Sequence, residues 1–284
     1  MNYDLLSYIK NDMVGIDVYT NTHCNLKCRG CSRFSNISKP NFYNFDQYAR
    51  DIEHLKNCDV RLSYLCFTGG EPLLNPKLID FVRTGRKYYP DIIMSILTNG
   101  LSFDKQPIQL YKTLSETNTC VSYTKYPSVS YDKLIDICDK YNIKHYNIST
   151  ATQRYKLPET KNQFAICPLT EEPSDFDIHT KKAKCDMDCT CMFNGKIYQC
   201  GTACNISVLN DRYGIDLASD KNYIEVSSIT SRFDIYRFLY EPIPLCRHCF
   251  NVCHENIDWC TIREIDRDIV ADTVRNDTIR SKGS

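Results

Sequence analysis

The chain has 284 residues, with 35 basic and 35 acidic side chains and hence no net formal charge. A hydrophobic content of 42% with 25% charged residues argues against a disordered chain, and the even charge balance argues against a nucleic-acid binder, which usually carries a basic excess. No apolar run approaches the ~18 residues that cross a bilayer, and the N-terminus has no secretory apolar stretch, so a cytoplasmic protein with no membrane partner is expected.

In chain order, runs rich in branched and aromatic residues predict strands at Val14–Thr20, Arg61–Phe67, Ile92–Thr98, Thr117–Tyr123 and Ile143–Ser149. Between them, helical spacing marks Phe45–Asn57, where Tyr48, Ile52 and Leu55 recur at three and four, then Pro76–Tyr88, Asp104–Leu114 and Tyr131–Tyr141. Strand and helix alternating about five times predict an α/β fold with a parallel sheet, either a partial (βα) barrel of TIM type or an open doubly wound sheet. After about residue 165 the pattern changes: cysteines become dense and long periodic runs scarce. Asn194-Gly195 predicts a two-residue hairpin turn there, because both residues tolerate positive φ. Residues 256–280 mix Ile, Val and charges at helical spacing and predict a packing helix.

Seventeen cysteines are the abnormal number. The count is odd, no export signal precedes them, and the spacings Cys24-x3-Cys28-x2-Cys31 and Cys246-x2-Cys249 put thiols close enough to grip one inorganic centre. A reducing compartment and metal–thiolate chemistry are expected. The first three lie directly after the first predicted strand, where βα folds place their chemistry. Three thiolates on one loop suit a cubane [4Fe–4S] cluster with one iron left open; a zinc site completed by His23 or a distant residue is the alternative. The second predicted strand runs into Gly69-Gly70-Glu71-Pro72, whose glycines allow close backbone approach to a ligand and whose Glu71 can accept from an ammonium group.

Together the CxxxCxxC loop, the Gly-Gly-Glu-Pro strand end and Leu97-Thr98-Asn99-Gly100 at the end of the third strand resemble the radical S-adenosylmethionine (radical SAM) family, over roughly residues 14–149. The resemblance implies that Cys24, Cys28 and Cys31 ligate a [4Fe–4S] cluster whose open iron chelates S-adenosylmethionine. It implies that the Gly69, Gly70, Glu71 and Pro72 element receives the methionine amino group. Ser122 would contact the same cofactor, as would Thr98 or Asn99, with strand-end capping the alternative for these three. The chemistry implied is reductive cleavage to a 5′-deoxyadenosyl radical that abstracts hydrogen from substrate, fed by an external reductant such as flavodoxin or ferredoxin. One position departs from the family: the residue before the third cysteine is usually aromatic and is Gly30 here, which removes the expected adenine contact and leaves the cluster ligands intact.

Cys185-x9-Gly195-x4-Cys200 followed by Cys246-x2-Cys249 is similar to the twitch or SPASM extension of some radical SAM enzymes. That resemblance implies one auxiliary [4Fe–4S] cluster held by Cys185, Cys200, Cys246 and Cys249, with Cys189 or Cys191 able to replace Cys185; a structural zinc is the alternative. Cys189, Cys191, Cys204, Cys253 and Cys260 offer thiols for a second centre, but Cys246-x2-Cys249-x3-Cys253-x6-Cys260 departs from the full SPASM spacing. Cys58, Cys66, Cys120 and Cys138 fall in strand and helix patterns and read as small core residues. His23 and His248 adjoin cluster cysteines, and simple packing is the preferred reading of each. The expected organisation is a radical SAM core over 1–165, an auxiliary cluster domain over 166–262 and a helix or tail over 263–284.

The expected substrate is a small molecule, a sugar, cyclitol or nucleotide-sugar. A ribosomal peptide or protein side chain ranks second, because only 13 residues precede the first strand and peptide maturases often carry a recognition domain there. A zinc or electron-transfer scaffold would explain the thiols but not the Gly-Gly-Glu-Pro element.

Overall fold

Branched and aromatic residues alternate along five short segments, and each becomes a parallel strand. The computed structural model describes residues 13–127, 129–148, 163–166, 169–170, 172–173, 175, 177–183, 185, 189–217, 221–249 and 255–261. Strands β1 (Val14–Asn21), β2 (Leu62–Gly69), β3 (Ile93–Thr98), β4 (Thr119–Tyr123) and β5 (His145–Asn147) pair in parallel in that order. Helices α1 (Phe45–Asn57), α2 (Leu78–Tyr88), α3 (Ile108–Glu116) and α4 (Asp132–Lys140) form the crossovers. Each helix buries one stripe. Tyr48, Ile52 and Leu55 of α1, Phe81 and Val82 of α2, and Leu110 and Leu114 of α3 join Ile16, Val18, Leu65 and Ile96 of the strands in one core. Burial of each such side chain contributes about 1.5–3 kcal/mol.

Helix α1 spans the predicted residues, with Asn44 capping it by accepting from the Gln47 amide. The third helix differs from expectation. Residues Asp104–Leu114 do not form one helix, because Pro107 lacks an amide proton and separates a short 3-10 turn, Phe103–Lys105, from α3.

The cysteine-rich region continues the same sheet. Strand β7 (Cys191–Phe193) pairs in parallel with the free side of β1, through Asp17 opposite Cys191 and Val18 opposite Met192. It turns through Asn194 and Gly195, both at positive φ (46° and 78°), into β8 (Lys196–Tyr198), which pairs with β9 (Tyr223–Glu225). The eight-stranded order is β5-β4-β3-β2-β1-β7-β8-β9. A separate two-stranded ribbon joins β6 (Gln163–Ile166) to β10 (Glu255–Asp258) antiparallel. The start of the helix expected over residues 256–280 is therefore strand, set by ladder pairing with residues far away in sequence; 262–280 lie outside the described residues.

Three further helices occupy the region expected to lack periodicity: α5 (Ile178–Ala183), α6 (Gly201–Tyr213) and α7 (Arg232–Tyr240). Helix α6 starts at Cys200 and stops at Gly214, whose φ of 63° supplies a left-handed cap. A second core joins Ala203, Ile206 and Leu209 of α6 to Phe34 and Ile37 from the loop after β1, and to Leu169, Ile243 and Leu245. This core ties the first cysteine loop to the cysteine-rich region. Among the described residues no helix is long and apolar enough to cross a membrane.

Candidate active site: a thiol-lined cavity at the sheet end

The loop after β1 folds tightly through a Cys28 amide bond to the Leu26 carbonyl (2.8 Å) and a left-handed Gly30 (φ 68°). An aromatic residue would adopt that conformation only with strain, which accounts locally for the missing aromatic before Cys31. Asn36 Nδ2 braces the loop by donating to the Cys28 carbonyl (3.1 Å). Cys24, Cys28 and Cys31 line one cavity with Gly69, Gly70, Glu71, Thr98 and Asn99. Sequence spacing and strand topology thus converge on one place.

Glu71 is the hub. It is 1% exposed, and its carboxylate accepts from the Leu73 amide (3.2 Å), Thr98 Oγ1 (2.7 Å) and the Asn99 amide (2.8 Å). Burial raises its pKa to about 7, and those three bonds limit the rise. An ionised carboxylate offers about four acceptor positions, so one remains for a ligand ammonium. Thr98 and Asn99 act chiefly as supports. Thr98 Oγ1 also accepts from the Gly100 amide (3.0 Å), while Asn99 Nδ2 donates to Asn25 Oδ1 (2.9 Å) and Cys24 Sγ (3.4 Å). Pro72 begins the 3-10 turn Pro72–Leu74, which Glu71 caps, and does not line the cavity. Ser122 lies two residues deeper on β4 than the cavity wall, and Thr124 occupies the place expected of it.

The two glycines have a role that their sequence context does not reveal. A Cβ on Gly69, at φ 123°, would sit 2.1 Å from the Asn21 carbonyl oxygen, and one on Gly70 would sit 1.9 Å from that of His23. Their first demand is chain against chain, as the end of β2 packs on the end of β1 through Gly70 N to Asn21 O (2.9 Å) and Glu71 N to His23 O (3.0 Å). Gly70→Ala should cost about 3 kcal/mol, lowering Tm by roughly 6–12 °C in a thermal melt. An unchanged Tm would show that this contact relaxes freely.

Burial, with a further push from Glu71, raises the Cys24 thiol to about 12, so it is protonated in the metal-free chain at neutral pH. Metal binding there must displace that proton. Cys24 Sγ also accepts from the Leu26 amide (3.3 Å), and Cys28 Sγ accepts from Trp259 Nε1 (3.3 Å). Three soft thiol donors on one braced loop, facing a cavity and ringed by N–H donors, fit a metal–sulfur cluster. Among the described residues no group of three or more His, Cys, Asp and Glu side chains closes on a single metal ion.

Arg33 is a site residue that the motifs pass over. It lines the cavity, donates from Nη1 to Thr68 Oγ1 (2.6 Å) and the Gly69 carbonyl (3.1 Å), and reaches Asp17 at 3.9 Å. Burial raises Asp17 to about 6, and Arg33 limits the rise. An acidic residue, Asp17, set between Ile16 and Val18 of a predicted strand was the available signal.

The second group of thiols gathers around the start of α6. Cys200 Sγ caps that helix by accepting from the Ala203 amide (3.4 Å). Burial raises the Cys200 thiol, and Cys189, Cys249 and Cys185 are near enough to raise it further. Cys246 lies within electrostatic reach of Cys249, and the Lys182 and Lys181 charges oppose the upward push of its burial. Cys189 is held below the usual thiol range by a hydrogen bond from Cys191, against burial. Of the two alternatives to Cys185, Cys189 is the one within electrostatic reach of Cys200; Cys191 is fully buried in the main core, as Cys204 nearly is. Cys66 and Cys138 are buried core residues as expected, whereas Cys58 and Cys120 are half-buried. Cys167 and Cys253 lie outside the described residues. Neither histidine beside a cysteine motif is placed on a sulfur: His23 packs edge-on against Phe42, and His248 Nδ1 meets the Thr170 carbonyl (2.9 Å).

Three thiols and a buried carboxylate thus meet at the C-terminal ends of the parallel strands of this α/β sheet. Residues 18–152 match the family model described as the Radical SAM superfamily. The fold is similar to that of anSMEcpe solved with bound AdoMet: a tagged form superposes with a TM-score of 0.51 at 16% identity, covering 83% of this chain and 82% of that one. The native form gives 0.50 at 16% identity, covering 83% of each chain. BtrN, solved in complex with AdoMet and 2-DOIA, gives 0.49 at 18% identity over 84% of this chain and 94% of that one. No curated protein matches the sequence significantly.

Proposed function

We propose that the protein is a radical SAM enzyme that removes a hydrogen atom from a hydroxyl-rich small molecule, a sugar, cyclitol or nucleotide-sugar, and oxidises it. The observation carrying this reading is the meeting of Cys24, Cys28, Cys31, Glu71 and Arg33 at one cavity. A [4Fe–4S] cluster with S-adenosylmethionine, when bound, supplies one-electron cleavage of a sulfonium and a carbon radical able to attack an unactivated C–H bond. The three cysteines would hold that cluster. The free acceptor position of Glu71 would take the methionine ammonium, with Gly69 and Gly70 bringing backbone to the same place. Thr98 and Asn99 would fix the carboxylate, and Ser122 would support the wall from one layer below. Hydroxyl and amide groups of Ser32, Ser35, Thr124 and Asn99 give the cavity the hydrogen-bonding lining that a polyol needs.

The auxiliary [4Fe–4S] cluster belongs to Cys200, Cys246 and Cys249 with Cys185 or Cys189. A cluster closed by four protein thiolates suits an electron acceptor. An external flavodoxin- or ferredoxin-type reductant and a reducing cytoplasm complete the reading.

Anaerobic reconstitution with iron and sulfide tests it. The expected result is about eight irons per chain, four for each cubane, and S-adenosylmethionine-dependent 5′-deoxyadenosine formation stimulated by a panel of sugars and cyclitols. Deuterium transfer from a labelled polyol into 5′-deoxyadenosine identifies the substrate class; transfer only from peptides would replace the polyol reading. A loaded protein whose paramagnetic signal ignores S-adenosylmethionine would end the assignment. Cys246→Ala is expected to keep 5′-deoxyadenosine formation while losing oxidised product, measured by chromatography of the same reaction. Loss of both activities would place Cys246 in the first step.

A further inference from the structure

The chain's single tryptophan lies against the first cysteine loop. Trp259 follows β10 and comes to the loop from 231 residues away in sequence. Three separate contacts seat it. Its Nε1 donates to Cys28 Sγ (3.3 Å), its ring stacks on Tyr126 with centroids 5.5 Å apart, and the backbone beside it bonds the loop. In that last contact the Arg29 amide donates to the Cys260 carbonyl (2.9 Å) and Thr261 bridges Cys28. Leu26, Cys28, Tyr126 and Trp259 form a small apolar cluster apart from both cores. The stretch after β10 is thus a strap across the loop, aimed at one sulfur.

We propose that Trp259 is a positioning residue for the iron–sulfur centre: its N–H bond to Cys28 stabilises the reduced cluster, and its strap shields that corner from water. This rests on the assignment of Cys24, Cys28 and Cys31 as cluster ligands. A hydrogen bond to a ligating sulfur favours the electron-rich state, because added electron density strengthens the acceptor; removing it makes the cluster harder to reduce. Burial at the same sulfur acts through the local dielectric. The strap also puts aromatic surface beside the loop whose own position, Gly30, cannot carry any.

The test is a redox titration of the reconstituted full chain, followed by paramagnetic resonance, comparing wild type with Trp259→Phe. Phenylalanine keeps the ring that stacks on Tyr126 and deletes the N–H, so a packing role alone leaves the midpoint unmoved. The expected result is a midpoint shifted to more negative potential with the iron content unchanged. An unchanged midpoint in a fully loaded variant overturns the proposal. Should the variant refuse the cluster, emission from wild-type Trp259 decides. Strong quenching on iron–sulfide loading, with low acrylamide access before loading, supports the docked strap, and emission indifferent to loading overturns it. A wild-type chain that assembles no cluster at all is a different result, the failure of the ligand assignment itself.

Discussion

Cys28→Ala is expected to abolish reductive cleavage of S-adenosylmethionine while leaving a folded protein. Cys28 is 5% exposed, and its thiol packs in a small cluster outside the main core. Removing one sulfur from such a site costs about 1 kcal/mol of stability, a small part of the total for a chain of this size. The chemical cost is complete, because two thiolates leave the cubane without its third anchor. The comparison requires circular dichroism to establish folding, iron counting for the loss of one cluster, and chromatography for 5′-deoxyadenosine. A Cys28→Ala protein that cleaved the cofactor at the wild-type rate would remove the loop from the reaction.

Glu71→Gln is expected to weaken S-adenosylmethionine binding by roughly 10- to 100-fold, since a charge-assisted hydrogen bond contributes about 1.5–3 kcal/mol. The same change destabilises the metal-free chain. Both carboxylate oxygens accept from the chain, so an amide NH2 must face a donor at Leu73 and Thr98 or at Asn99. That mismatch costs about 1–3 kcal/mol. The pH dependence has a definite sign. With its folded pKa raised to about 7 from 4.5, the native carboxyl binds a proton more tightly than the unfolded one. Its burial penalty therefore grows as pH rises from about 4.5 to 7, and stability falls across that window. Ligand binding runs the other way, because an ammonium needs the ionised carboxylate. Affinity, followed calorimetrically on the loaded protein, should be level above about pH 8 and fall towards tenfold per unit below pH 7. A flat profile from pH 5.5 to 8, or full affinity in Glu71→Gln, would take Glu71 out of the binding site.

The first half of the fold is legible because its signals are local. Tyr48, Ile52 and Leu55 mark one face of α1, branched residues mark β1 to β4, and Asn194-Gly195 marks the hairpin. The second half fails that reading for a physical reason. Helix α6 is buried continuously from Gly201 to Ile206 and buries Thr202, Asn205 and Asn210 among its apolar residues, so no apolar stripe stands out. Helix α7 did carry a signal, the Ser231 and Asp234 capping box, in a stretch dominated by cysteine spacing. Strand β10 depends on β6 for its existence, and no local pattern announces a partner 89 to 95 residues away.

The site divides similarly. Thiol spacing and the Gly-Gly-Glu-Pro element point to the cavity, since a tight loop and a strand end are short-range features. Glu71 as a three-bonded hub, Arg33 beside Asp17, and Trp259 on Cys28 arise from tertiary juxtaposition. The glycines illustrate the difference best: the sequence reads Gly69 and Gly70 as room for a ligand, and the structure sets them first against the backbone of Asn21 and His23.

Strand β1 is shared property. Its one side receives β2, its other side receives β7, and its end gives rise to the loop bearing Cys24, Cys28 and Cys31. Damage to this single ribbon is therefore transmitted to both groups of sulfur atoms together. Among the described residues, the loop that leaves the end of β1 and the hairpin that leads to Cys200 are thus anchored on opposite flanks of one continuous ladder.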